Sequence, residues 1–130
     1  MTAALQKNRL RFEVQRPGFE LALDIELPAA GITVLFGASG SGKTTVLRCV
    51  AGLEPARRGL VRIGSDIWQD DSAGIFLPTW RRPLGYVFQE ASLFEHLSVN
   101  DNLRYGLERT RSREAAQALE SAIGLLGIAQ

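Results

Sequence analysis

Residues 37–44 read Gly-Ala-Ser-Gly-Ser-Gly-Lys-Thr, fit the pattern G-x-x-x-x-G-K-[ST] at every fixed position, and run on into a second threonine, Thr45. The pattern carries a mechanism only between a strand and a helix. Here the apolar, β-rich run Ile32-Thr33-Val34-Leu35-Phe36 precedes it and a helical pattern follows Lys43. In that context Gly37, Gly40 and Gly42 let the backbone turn its N–H groups around phosphate oxygens, and the helix directs its positive amino end at the same anion. Lys43 adds a compact, mobile charge for the β- and γ-phosphates, and the Thr44 hydroxyl is suited to Mg²⁺, which takes few protein ligands and keeps several waters. Only two of the chain's fifteen basic residues are lysines, Lys7 and Lys43. An arginine-rich chain has placed lysine where a point charge suits. The alternative, a glycine-serine turn that happens to precede a helix, accounts for neither the full motif nor its context. A nucleoside-triphosphate site is the expectation, with residues 37–45 as its loop.

A length of 130 residues, 45% hydrophobic content and 22% charged residues bound the rest to one domain able to bury a core. A net charge of +1 gives no reason to expect a nucleic-acid partner or an anionic membrane surface. The apolar runs are shorter than the roughly 20 residues that span a bilayer, and the amino terminus lacks a basic-then-apolar signal segment, so a cytosolic chain is expected. One cysteine, Cys49, lies in an apolar helical stretch and reads as core.

Along the chain, Leu10, Phe12 and Val14 alternate with charged residues, as do Leu21, Leu23, Ile25 and Leu27, predicting two half-buried strands around a Pro17-Gly18 turn. The continuous apolar run 32–36 predicts a parallel strand buried on both faces. After the loop, Val46, Leu47, Val50 and Leu53 fall at helical spacing. Residues 59–63 and 84–88 predict further strands, and 66–79 reads as loop with ambiguous short pieces. Ser98 with Asp101 predicts a helix start, the helix running to about Leu107. Ser112 caps a second helix with Leu119, Ala122, Ile123 and Leu126 on one face and Gly127 as its stop.

The stretch Arg81-Arg82-Pro83-Leu84-Gly85-Tyr86-Val87-Phe88-Gln89-Glu90, followed by Leu93-Phe94-Glu95-His96-Leu97-Ser98-Val99 and Asp101-Asn102-Leu103, resembles the glutamine-loop region of ABC-transporter ATPases. Residues 37–48 and Ala51-Gly52-Leu53-Glu54-Pro55 are similar to that family too, so the resemblance covers essentially the whole chain. Within the family, Gly31-Ile32-Thr33, residues 36–40, residues 81–89 and Asn102-Leu103-Arg104-Tyr105-Gly106 are most similar to ATPases of molybdate importers; those of sulfate, polyamine, iron and sugar importers share much of the pattern.

The resemblance implies an α/β P-loop NTPase with an antiparallel β-subdomain (1–31 and about 58–75), a partial parallel core sheet with the phosphate-loop helix (32–57 and 80–89), and the glutamine loop with the start of a helical subdomain (90–130). It implies ATP and Mg²⁺ as ligands. Gly37, Ala38, Ser39, Gly40, Ser41, Gly42, Lys43, Thr44 and Thr45 would hold the triphosphate; Thr44 and Gln89 would ligate Mg²⁺; Lys43 and Gln89 would serve catalysis, Gln89 by positioning water through an amide that both donates and accepts. It further implies a second ATPase subunit, membrane permease subunits docking on residues 90–99 with Phe94 and Leu97 as candidate anchors, an indirect substrate-binding protein, and a peripheral place on the cytoplasmic face of the membrane.

The chain departs from the family pattern in several places. Val14 stands near the offset where the family stacks adenine on an aromatic ring, with only Phe12 and Phe19 close by, so the adenine platform is open. Glu95 replaces a common proline before His96, which reads as structural or solvated. No signature sequence, acidic-ended strand or later switch histidine is found, so the chain is expected to be the amino-terminal part of a longer ATPase, able to bind ATP without hydrolysing it and prone to self-association through strand 32–36. Two rivals stand beside this reading: a small P-loop kinase, and an interaction module with a vestigial phosphate loop.

Overall fold

The computed structural model describes residues 7–110 and 112–128, and the chain forms two units, Met1–Tyr86 and Val87–Gln130. The first is built on a five-stranded antiparallel sheet: β1 (Asn8–Arg16), β2 (Phe19–Leu27), β3 (Arg57–Ile63), β4 (Asp66–Asp70) and β5 (Ile75–Phe76), in the order β2-β1-β3-β4-β5. β1 and β2 pair without interruption from Arg16↔Phe19 to Asn8↔Leu27, closing on the Pro17-Gly18 turn. Period-two patterning puts Leu10, Phe12 and Val14 opposite Ile25, Leu23 and Leu21 on one face. The other face carries a charge ladder in which Lys7 and Arg9 pair with Glu26, and Arg9 with Asp24.

The apolar face is covered by α1 (Lys43–Ala51), whose Val46 and Cys49 join Leu10, Phe12, Val14, Val61 and Trp68 in the core. Phe12, Val61 and Cys49 are the most completely buried of these, and burial pushes the Cys49 thiol above its ordinary pKa, as suits an inert core residue. The buried side of α1 is Val46, Cys49 and Ala51. Leu47, expected on the apolar stripe, is half exposed, because the helix has a sheet against one side only. Glu54, just past the helix, is buried and pairs with both Arg16 at the end of β1 and Arg48 on α1, pinning hairpin to helix.

Two expectations are corrected. The run 32–36 and the run 84–88 form neither strand nor helix and neither enters the sheet, so the partial parallel layer is not assembled among the described residues. Ile32 and Phe36 are almost fully exposed, at 95% and 99%. A parallel strand exists through its neighbours, and here no described strand lies alongside. Conversely, the segment read as loop supplies β4 and β5. A register shift between Val61 and Arg62 lets Trp68 and Gln69 both turn inward.

The second unit holds three helices, α2 (Val99–Arg104), α3 (Leu107–Thr110) and α4 (Arg113–Leu126). Ser98 caps α2 by accepting from the Asp101 amide at 3.1 Å, and Ser112 caps α4 by accepting from Ala115 at 3.2 Å. Gly127 closes α4 in the left-handed region, as the sequence predicts. Leu119 and Ile123 are half buried on one side of α4, whereas Ala122 and Leu126, expected on that face, are exposed.

Candidate phosphate-binding site

Every element of the loop motif sits at the amino end of α1. Gly42 precedes the helix with φ 95°, and the helix start has no side-chain cap. A residue with a Cβ is disfavoured twice at Gly42: the conformation is left-handed, and the Cβ would lie 2.9 Å from the Phe19 ring. Ser41 N donates to Ala38 O at 3.2 Å, tightening the loop, and Val46 N donates to Gly42 O at 2.9 Å, starting the helix. Residues 37–41 are exposed to solvent, as a loop that must meet a phosphate requires.

Lys43 is folded over this loop. Its Nζ donates to Gly37 O at 3.0 Å and Ala38 O at 2.7 Å, and reaches Ser41 Oγ at 3.4 Å. The ammonium is therefore held over the loop by neutral acceptors, which phosphate oxygens outcompete because they add the attraction of opposite charges. The chemistry of the cluster is anion capture: a mobile cation, an uncapped helix amino terminus and a glycine-bearing turn at one point.

Thr44 lies exposed on the first turn of α1 and Thr45 half buried beside it. Among the described residues no group of three or more histidine, cysteine, aspartate or glutamate side chains could hold a metal ion. The donor set therefore fits Mg²⁺ only as a partner of phosphate oxygens, with Thr44 supplying one hydroxyl. Gln89 belongs to the second unit and is exposed just past the run 84–88. The residues that the structure gathers are thus 37–45.

Of the two aromatic residues near the adenine offset, Phe12 is fully buried and has no face to offer, while Phe19 is half buried with its ring against Gly42. In the second unit Phe94 packs on Tyr105, ring centroids 4.4 Å apart, with the His96 ring edge-on at 5.9 Å. The Asn102 carboxamide pins this loop: its Oδ1 accepts from Phe94 N at 2.8 Å and its Nδ2 donates to Phe94 O, Leu97 O and Ser98 O. Leu97 is half buried and Leu93 largely exposed. Sequence reasoning met Glu54 and Asn102 only inside family-like stretches and gave neither a role of its own, because which partners a glutamate after a helix or an asparagine inside one will hold is not written in its neighbours.

No helix among the described residues is long and apolar enough to cross a membrane. With a phosphate loop opening a helix that packs on an antiparallel sheet, the chain belongs to the ABC transporter family, whose model matches residues 22–130. Its fold class is accordingly that of the P-loop NTPases. Among curated relatives it is similar to the molybdenum import ATP-binding protein ModC of Thiobacillus denitrificans, 58% identical over 120 residues, which cover 92% of this chain and 33% of the relative. ModC 1 of Azotobacter vinelandii is 57% identical with the same coverage, and ModC of Aromatoleum aromaticum 54% identical over 92% of this chain and 32% of its own. The chain thus spans about a third of the length of these relatives.

Proposed function

We propose that this chain is the nucleotide-binding portion of the ATPase subunit of an ABC importer for an oxyanion, molybdate. The observation that carries the reading is the Lys43 ammonium held over the loop 37–42 at the uncapped start of α1. In this reading the triphosphate displaces the carbonyls from Lys43, the amides of 37–45 and the helix terminus surround it, and adenine stacks on Phe19. Mg²⁺ bound with the nucleotide would be held by the Thr44 hydroxyl and by Gln89 and would screen the phosphate charge, and Gln89 would also orient water. Lys43 and Gln89 are the residues assigned to hydrolysis in the assembled subunit; the 130-residue chain by itself binds ATP without turnover.

The subdomain limits proposed from the sequence, 1–31 with about 58–75, 32–57 with 80–89, and 90–130, belong to the same reading. The loop that Asn102 pins, within residues 90–99, is its docking surface for a permease subunit. The subunit pairs with a second ATPase on the cytoplasmic face of the membrane. Support for the cargo comes from the relatives, whose names specify molybdenum import. Replacing the matching segment of such a relative with the matching part of this chain and measuring molybdate uptake in a strain that lacks its own importer tests this. Restored uptake is expected. A chimera that binds ATP and assembles but restores uptake of sulfate rather than molybdate would overturn the cargo.

A further inference from the structure

We infer that Arg82 is a positioning residue for the nucleotide loop, acting through α1 from the end opposite the phosphate; the inference rests on the nucleotide-binding reading above. Arg82 is 4% exposed, and among the described ion pairs none involves it. A buried cation without an anion is costly unless several aligned acceptors surround it. Its guanidinium has them: Nε donates to Leu77 O at 2.7 Å, Nη1 to Val50 O at 2.5 Å and Cys49 O at 3.3 Å, and Nη2 to Trp68 O at 3.5 Å. The rings of Phe76 and Trp68 lie 5.1 and 5.9 Å from its central carbon.

These partners come from three places, the carboxyl end of α1, strand β4, and the turn leading into Thr79–Arg81; the core and a bond from Leu77 N to Trp68 O already join them, and the guanidinium ties all three at one point. At the end of α1, Leu53 N bonds Arg48 O and Gly52 N bonds Cys49 O, leaving Val50 O for Arg82. A cation there also meets the negative end of the helix dipole. Gly52 makes the contact possible, because with φ 76° it closes the helix and a Cβ on it would stand 2.7 Å from the Arg82 central carbon. The planar five-donor fork is what spans three chain segments at once; a lysine ammonium at this place cannot.

The consequence reaches the loop by rigid geometry. The amino end of α1 has no cap and its loop is exposed, whereas the carboxyl end is clamped. Nine helical residues span about 13 Å, so a tilt of about 5° at the clamped end moves the loop by about 1 Å. A misplacement of that size at a reacting centre can cost on the order of 100-fold in rate, and it lengthens hydrogen bonds to a bound phosphate enough to weaken them.

The test uses the whole chain with Arg82→Ala and Arg82→Lys, followed by amide NMR without nucleotide and by Mg-ATP titration. The expected result is retained β1–β3 signals, shifted Gly40 and Gly42 amides, faster exchange at the Val46 amide, and ATP binding weakened by about tenfold, the equivalent of about 1.4 kcal/mol. Millimolar guanidinium, far below denaturing levels, is expected to restore both the loop signals and the affinity of Arg82→Ala, and Lys is not expected to substitute for Arg. Shifts confined to residues 49–53, or loss of fold in both variants, would overturn the inference by making Arg82 a local plug or a purely structural residue. A wild-type chain whose loop signals respond to Arg82 yet which binds no ATP would keep the positioning role and reject the nucleotide reading instead.

Discussion

Phe12 and Phe19 sit seven positions apart on neighbouring strands, and burial gives them opposite roles. Phe12 is 0% exposed in the centre of the core, so Phe12→Ala removes packed volume and is expected to cost about 3–5 kcal/mol in urea unfolding. Phe19 is half buried beside Gly42, so Phe19→Ala is expected to cost less than half as much stability. Instead it should weaken ATP binding several-fold, since stacking of a base on an aromatic ring is worth about 1–3 kcal/mol. Equal affinity for wild type and Phe19→Ala would remove Phe19 as the adenine platform. Lys43 belongs to this scale as well. Its position was legible from the motif alone, but its engagement with Gly37 O and Ala38 O was not, because a sequence does not say what a mobile ammonium holds in the absence of phosphate.

Caps show how an element is written in sequence and how it can be perturbed. The Ser112 hydroxyl both accepts from Ala115 N and donates to Glu114 Oε2 at 2.7 Å, and that bond holds the Glu114 carboxyl below its ordinary pKa, helped by a backbone N–H. A carboxylate whose folded pKa is depressed stabilises the fold fully above its unfolded pKa and loses that contribution as pH falls toward the folded value. The helicity of α4 is therefore expected to be level near neutrality and to decline as pH falls through the carboxylate range. Ser112→Ala is expected to cost about 1 kcal/mol at neutral pH and to flatten the Glu114 part of that decline, both followed by circular dichroism. The β1–β2 hairpin was equally legible, through strict alternation around Pro17-Gly18. Strand β4 was not, because Asp66 and Asp70 bracket an Ile-Trp-Gln centre that lacks alternation, and its inward turn depends on a register shift in its partner β3. The runs 32–36 and 84–88 failed for the opposite reason: their composition suits a parallel strand, but pairing is a property of neighbours and not of the run itself.

For the molecule as a whole, the exposed run 32–36 is a liability, since Ile32, Val34 and Phe36 present apolar side chains to solvent on a strand-forming sequence outside the sheet. Concentration-dependent association is expected in sedimentation, and Val34→Lys is expected to suppress it; a strictly monomeric mass at high concentration would contradict this. That liability lies next to the phosphate loop in sequence, so the central claim is whether the loop works on a chain whose parallel layer is not assembled. Calorimetric titration of Mg-ATP into the purified chain, beside Lys43→Ala, decides it. Saturable binding that Lys43→Ala abolishes is predicted, since the loop, Lys43 and α1 are already in place on the antiparallel sheet. A folded wild-type chain that binds no ATP, or binds it as well without Lys43, would contradict the account.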